Sequence, residues 1–258
     1  MIKRSIFTVF QLFASLLFRL VSFKNKQKIC KRELLFNMSG QSYWASIFLK
    51  KLILYGKAHE RKVSETVSKI RGKLFVDVGA NIGYYSMLLS PNFKEVYAFE
   101  PYDKSFVEMC WNIHQFRIKN VKPVMKAVAN KNGKERMLRT NYGRYHQLIS
   151  GQQLIDDSLS KHPKVPKVMS SILVETVTLA SFFPNTVLDL VKVDVEGAEW
   201  RILKGAEPIM ENIKSWVVEL HNWARKKELE HWFASHGYKF RWIDFNKETA
   251  NHIYAWKS

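Results

Sequence analysis

Apolar and polar positions change rhythm several times along this chain, and each change marks an element. Leu74 to Val78, LFVDV, is a short apolar run with β-branched residues, the pattern of a strand buried on both faces. Gly79-Ala80-Asn81-Ile82-Gly83 ends it with small residues suited to a tight turn, and Tyr84 to Leu89 changes to a helical pattern. Val96 to Phe99 reads as a second strand that stops at Glu100-Pro101, because proline cannot continue the ladder. Asp103 is expected to cap a helix reaching about Arg117, with Phe106, Met109, Cys110 and Ile113 inward. Val121 to Val128 reads as a third strand and Asn130-Lys131-Asn132-Gly133 as a turn.

Residues 135–170 are polar and hold two prolines, and they show no clear period; such stretches commonly cover a site. Ile172 to Thr178 reads as a further strand, and Leu190 to Val195 as a fourth core strand with acids at its carboxyl end. A helix follows through Leu203 to Met210, then a fifth strand from Trp216 to Leu220 and a helix over Lys226–Ser235. Tyr238–Ile243 and Ile253–Trp256, split by a polar turn, read as an antiparallel hairpin. Strands alternating with helices predict a doubly wound, mostly parallel α/β sheet with a terminal antiparallel hairpin.

The first 70 residues follow a different rule. Ser5 to Phe18 carry no charge, and Thr8, Gln11, Ser15, Arg19 and Ser22 would form one narrow polar stripe on a helix. Fourteen residues make a helix of roughly 21 Å, short of the ~30 Å hydrocarbon core, and no small-residue cleavage site follows. Lys24, Lys26, Lys28, Lys31 and Arg32 come next. Residues 1–32 therefore fit an anionic membrane surface, with packing on the core or on another subunit as the alternative and a spanning helix less favoured. Tyr43, Trp44, Ile47, Phe48, Leu52 and Leu54 give one or two further amphipathic helices, and Arg71-Gly72-Lys73 marks a hinge. The expected division is a basic helical extension over residues 1–70 and an α/β domain over 71–258.

Composition sharpens this. Of 258 residues, 47% are hydrophobic, enough for one sizeable core and against disorder. The formal charge is +18, yet residues 1–71 hold 15 Lys/Arg against three acids, which leaves only +6 for the remaining 187 residues. The basic excess lies outside the core and suits nucleic acid, anionic lipid or an acidic partner. Cys30 and Cys110 have no metal-type spacing and read as reduced packing thiols, consistent with a cytoplasmic protein, peripheral at a membrane if the extension binds one.

The candidate chemistry lies around Gly79–Gly83. A strand, a glycine turn, a helix and a second strand tipped by an acid build a nucleoside site, in which Glu100 can accept from both ribose hydroxyls. The turn reads G-A-N-I-G rather than G-x-G-x-x-G, and Asp77 just before it is a poor neighbour for a diphosphate. A cationic ligand with an amino acid tail, S-adenosylmethionine, fits better.

FVDVGANIGYYS, AFEPYDKSFVEMCWNI and LVKVDVEGAEWRILKGAE, in this order over about residues 73–220, resemble the FkbM-type S-adenosylmethionine-dependent methyltransferases. The resemblance implies a class I, Rossmann-like fold of seven strands with the last antiparallel, and methylation of hydroxyl oxygens on sugars, polyketides or similar metabolites. Asp77, Gly79, Asn81 and Gly83 would hold the methionine end of the cofactor and Glu100 its ribose; Ala127 and Val128, at the tip of the third strand, would lie near the adenine. Where the family commonly has Thr-Leu-Asp before VDVEG, this chain has Thr178-Leu179-Ala180.

An alcohol must lose its proton during transfer, and the candidate bases are Asp194, Glu219 and His221, all at strand ends. Asp194 is the best placed, also as a cofactor contact, while His221 commends itself by an intrinsic pKa near neutrality. Glu196 and Glu199 are expected to hold the loop or cap the next helix, and His146 is a weaker candidate for the site. The Asp194, Glu219 and His221 trio could alternatively bind a divalent metal, although nothing in their spacing compels it. The competing functions are RNA methylation through the basic extension and a non-catalytic membrane-surface role. Base-amine methylation favours an Asn/Asp-Pro-Pro-aromatic motif after the fourth strand, and this chain has DVEG there, so nucleic acid is the weaker choice.

Overall fold

The computed structural model describes residues 61–140, 147–149, 168–244 and 251–257. The chain divides into two units, residues 1–69 and 70–258. Helix α1 (Arg61–Val67) is the described element of the first. The expectations for residues 1–60 and for His146 lie outside the described residues, and no described helix is long and apolar enough to cross a membrane.

The second unit begins with β1 (Gly72–Val78), followed by α2 (Tyr84–Leu89), β2 (Phe93–Phe99), α3 (Asp103–Gln115) and β3 (Val121–Val124). Next come β4 (Ala127–Val128), β5 (Gly133–Thr140), β6 (Gln147–Ile149), β7 (Val168–Val177) and α4 (Leu179–Phe182). The chain then adds β8 (Leu190–Val193), α5 (Glu199–Ala206), β9 (Ser215–Leu220), α6 (Lys226–Ser235), β10 (Lys239–Asp244) and β11 (Asn251–Trp256). The main sheet runs β10-β11-β9-β8-β1-β2-β3, and β11 is antiparallel to both neighbours. This is the class I methyltransferase architecture expected from the sequence.

β1 and β8 are buried along nearly their whole length, which is why they read as unbroken apolar runs rather than alternating ones. Phe75, Val76, Leu190, Val191, Val193, Trp216 and Val218 are completely enclosed. Strand order reverses between β1 and β8, and a crevice opens at such a switch point beyond the carboxyl ends of the strands. Asp77, Glu100, Asp194, Glu219 and His221 stand at or just past that edge.

Three local expectations change. The third strand ends at Val124 instead of continuing to Val128: Pro123 offers no N–H, and Lys126 N folds back on Val124 O at 3.0 Å. Ala127 and Val128 instead pair in parallel with Thr176 and Val177 in a second sheet of order β4-β7-β5-β6. They therefore lie past the third strand's tip, with their side chains buried in the core.

That second sheet also organises part of the segment that showed no period. In β5 the buried positions are Glu135 and Met137, so a glutamate stands where an apolar residue would reveal the alternation. Its burial is compensated by Arg201 of α5, whose Nη2 reaches the two carboxylate oxygens at 2.6 and 2.7 Å. Finally, Asp103 is the first residue of α3, not its cap; Tyr102 takes the cap position without a side-chain hydrogen bond.

Candidate active site

The glycine turn is fixed from several sides. Gly79 N and Ala80 N both donate to Phe99 O, at 3.0 and 2.9 Å, which ties the turn to the end of β2. Gly79 has φ +79°, and a Cβ there would lie 1.9 Å from Asp194 O, so glycine is required by the neighbouring strand end. At Gly83, φ +87°, a Cβ would meet Met109 Cγ at 2.9 Å. The close approaches at these two positions are thus made by the protein's own atoms.

Asp77 is 1% exposed, and Ser86 Oγ donates to its Oδ2 at 2.6 Å. Its Oδ1 is buried with no hydrogen-bond partner. Burial pushes the carboxyl above the usual range, against the pull of Lys192. A buried acceptor left open beside the turn is what the α-ammonium of S-adenosylmethionine would satisfy. On that observation the residues fit the cofactor.

Glu100 closes the other side of the turn. Its Oε2 accepts from Asn81 N at 2.9 Å and its Oε1 from Tyr102 N at 2.8 Å. Each oxygen keeps a further lone pair for a ribose hydroxyl. Burial is the largest effect on Glu100 and pushes it up to about 7, only partly offset by the two N–H donors. Asn81 holds a left-handed φ of 50°, a conformation asparagine tolerates better than most side chains.

Beyond β8 and β9 the structure brings Asp194, Glu219 and His221 together. One ligand-type atom from each lies within 4.8 Å of the others, a spacing a divalent cation could bridge. Each of the three also has protein partners. Lys192 Nζ contacts Asp194 Oδ2 at 3.0 Å. Glu219, buried, lies 3.5 Å from Nε2 of the fully enclosed His252, its register partner on β11. His221 Nδ1 contacts Glu199 Oε1 at 2.6 Å, while its Nε2 lies 3.3 Å from Glu196 and 3.6 Å from Glu219.

Electrostatics separates their roles. Burial opposes the charge of Asp194, but Lys192, a hydrogen bond from Glu219 and the nearby His221 hold its carboxyl well below the usual range. Burial, reinforced by the charge on Asp194, pushes Glu219 up to about 7. Burial alone would lower His221, yet the hydrogen bond to Glu199 and the charges of Glu196, Glu199 and Glu219 outweigh it and push the ring up to about 10. Those neighbours favour the imidazolium form of His221, which stands in one cluster with Asp194 and Glu219. Glu199 does hold the loop, accepting from Gly197 N at 2.8 Å, but it also clamps His221.

Reading the sequence passed over Lys192 and His252. Lys192 carried a signal: it is a lysine inside LVKV, a run otherwise fit only for a core. His252 carried none, because its partner Glu219 is distant in sequence and is met only through the hairpin register.

The methyltransferase FkbM domain model matches residues 77–240. No curated protein matches the chain. Among solved structures, the METTL16 methyltransferase domain shares 12% identity over 93% of this chain and 91% of its own, with a TM-score of 0.48. A precorrin-6y C5,15-methyltransferase from Geobacter metallireducens GS-15 shares 16% over 78% and 89%, at 0.47. An rRNA methylase from Streptococcus thermophilus shares 10% over 77% and 96%, at 0.46. The family match spans most of the chain and takes in both the glycine turn and the acidic strand ends: the chain belongs to the FkbM family of S-adenosylmethionine-dependent methyltransferases.

Proposed function

We propose that this protein methylates a hydroxyl oxygen on a sugar, glycan or other small metabolite. S-adenosylmethionine, when bound, supplies a methyl carbon made electrophilic by a sulfonium. Asp77, with Asn81 and the turn around it, receives the charged amino acid end, and Glu100 receives the ribose. The acids at this edge, among them Asp77, Glu100, Asp194 and Glu219, favour a cationic donor although the chain as a whole is strongly basic.

The observation that carries the reading is the Asp194–Glu219 pair. Asp194, its side chain 28% exposed, faces the crevice, and Glu219, 7% exposed, lies behind it. Two interacting carboxyls titrate as a unit, so the last proton to leave belongs to the pair. That proton leaves near neutrality, the poise that suits a general base for an alcohol. Asp194 accepts the hydroxyl proton at its exposed oxygen and the pair retains it. His221, held as a cation, orients the two carboxylates. Alignment of acceptor and donor supplies much of the remaining acceleration.

The test is incubation with labelled S-adenosylmethionine and fractionated cell extract, followed by mass identification of the labelled species. A methyl ether on a small molecule or glycan is the expected product. Label confined to RNA, or no transfer at all, would overturn the reading.

A further inference from the structure

Lys192 is a lysine in the middle of the core, 1% exposed. Strand alternation puts it on the same face of its segment as Asp194, two residues on, and parallel pairing sets it directly opposite Asp77. Its ammonium lies 3.0 Å from Asp194 Oδ2 and 4.5 Å from the centre of the Tyr85 ring. Tyr85 belongs to α2, the helix that leaves the glycine turn. One buried cation thus contacts Tyr85 on the turn's helix and Asp194, the acid proposed to receive the acceptor's proton, and its charge acts on Asp77, the acid before the turn.

We infer that Lys192 is a positioning residue that joins the donor seat to the acceptor seat, holding Asp77 and Asp194 as an ionised pair around one shared charge. The reading rests on the proposed function of the same site. A buried carboxylate without a counter-charge is costly, and two of them facing one crevice would each favour the neutral form. Removing the ammonium would therefore weaken the seat for the donor's amino group through Asp77, although Lys192 itself need not touch the donor. Tyr85 adds a cation–π contact that helps hold the ammonium against Asp194.

The probe is S-adenosylhomocysteine, titrated calorimetrically into the full chain and into Lys192→Met, Lys192→Arg, Asp77→Asn and the Lys192→Met/Asp77→Asn double variant. Lys192→Met should weaken binding about tenfold, and Lys192→Arg, which restores the charge, should recover to within about threefold. In the Asp77→Asn background Lys192→Met should cost nothing further, because the group it supports is already neutral. Binding unchanged in Lys192→Met, or losses that multiply in the double variant, would overturn the inference. A loss of thermal stability in Lys192→Met with unaltered affinity would mark Lys192 as a purely structural ion and overturn it too. Should Lys192→Met not fold, Lys192→Gln, which keeps a donor without the charge, takes its place in the same cycle. Failure of the unaltered chain to bind the probe would instead count against the function proposed above.

Discussion

At the scale of single residues, the site is a set of carboxyls tuned apart by their neighbours. Asp194→Asn and Glu219→Gln should each lower kcat by about 10²–10⁴-fold while leaving S-adenosylhomocysteine affinity within a few-fold. If the pair is the base, kcat in the unaltered protein should fall as pH drops through about 7, the value to which burial and Asp194 raise Glu219. A profile flat from pH 6 to 8 would contradict that. Glu100 gives a stability signature of opposite sense to an ordinary ion pair. Its folded pKa is raised from 4.5 to about 7, so the folded state binds this proton more tightly than the unfolded chain. The stabilisation is complete below the unfolded value and is lost as pH rises through about 7, by at most about 3 kcal/mol. Thermal unfolding of the ligand-free protein should show this loss between pH 5 and 8, and Glu100→Gln should flatten it.

The local pattern was enough to place Asp77, Glu100, Asp194, Glu219 and His221 at strand ends, since an acid or histidine just past an apolar run is visible without a partner. Their protonation was not legible. His221 is set by Glu196 and Glu199, more than twenty residues upstream across the sheet, and no spacing rule announces that contact. The extension of the third strand past Val124 failed for a related reason: the turn at Val124–Lys126 closes on one backbone hydrogen bond, and the apolar run continues past it into another sheet.

At the scale of elements, α5 shows how closely the layers approach. Gly205 is buried, and a Cβ there would lie 2.2 Å from Ala129 O, where the chain has just left the second sheet. A helical Gly→Ala change ordinarily stabilises by about 0.5–1 kcal/mol. Here the backbone leaves no room, and Gly205→Ala should destabilise by more than about 2 kcal/mol in denaturant unfolding. A stabilised variant would mean that the helix and residue 129 can separate at little cost. The core strands were legible because burial on both faces makes them continuous apolar runs. β5 was not, because its ion pair with Arg201 replaces one of the apolar positions by an acid.

At the scale of the whole molecule, charge and topology divide the chain differently from length. Most of the positive excess precedes residue 72, while the acids of the site gather at one edge of the main sheet. If the basic segment serves only as an extension, a fragment starting at Arg71 should unfold cooperatively and bind S-adenosylhomocysteine as tightly as the full chain. A fragment that fails to fold would place the boundary elsewhere.

The order β10-β11-β9 sets Asn251–Trp256 inside the sheet, between a strand made just before it and one made some thirty residues earlier. Until ribosomal synthesis has passed Trp256, Ser215–Leu220 keeps one raw margin and Glu219 lacks the imidazole behind it. A chain cut after Asp244 would keep Asp77 and Glu100 but lack the imidazole of His252 behind Glu219. The proposed proton acceptor therefore draws on Asn251–Trp256, whereas the residues of the donor's seat all precede residue 101.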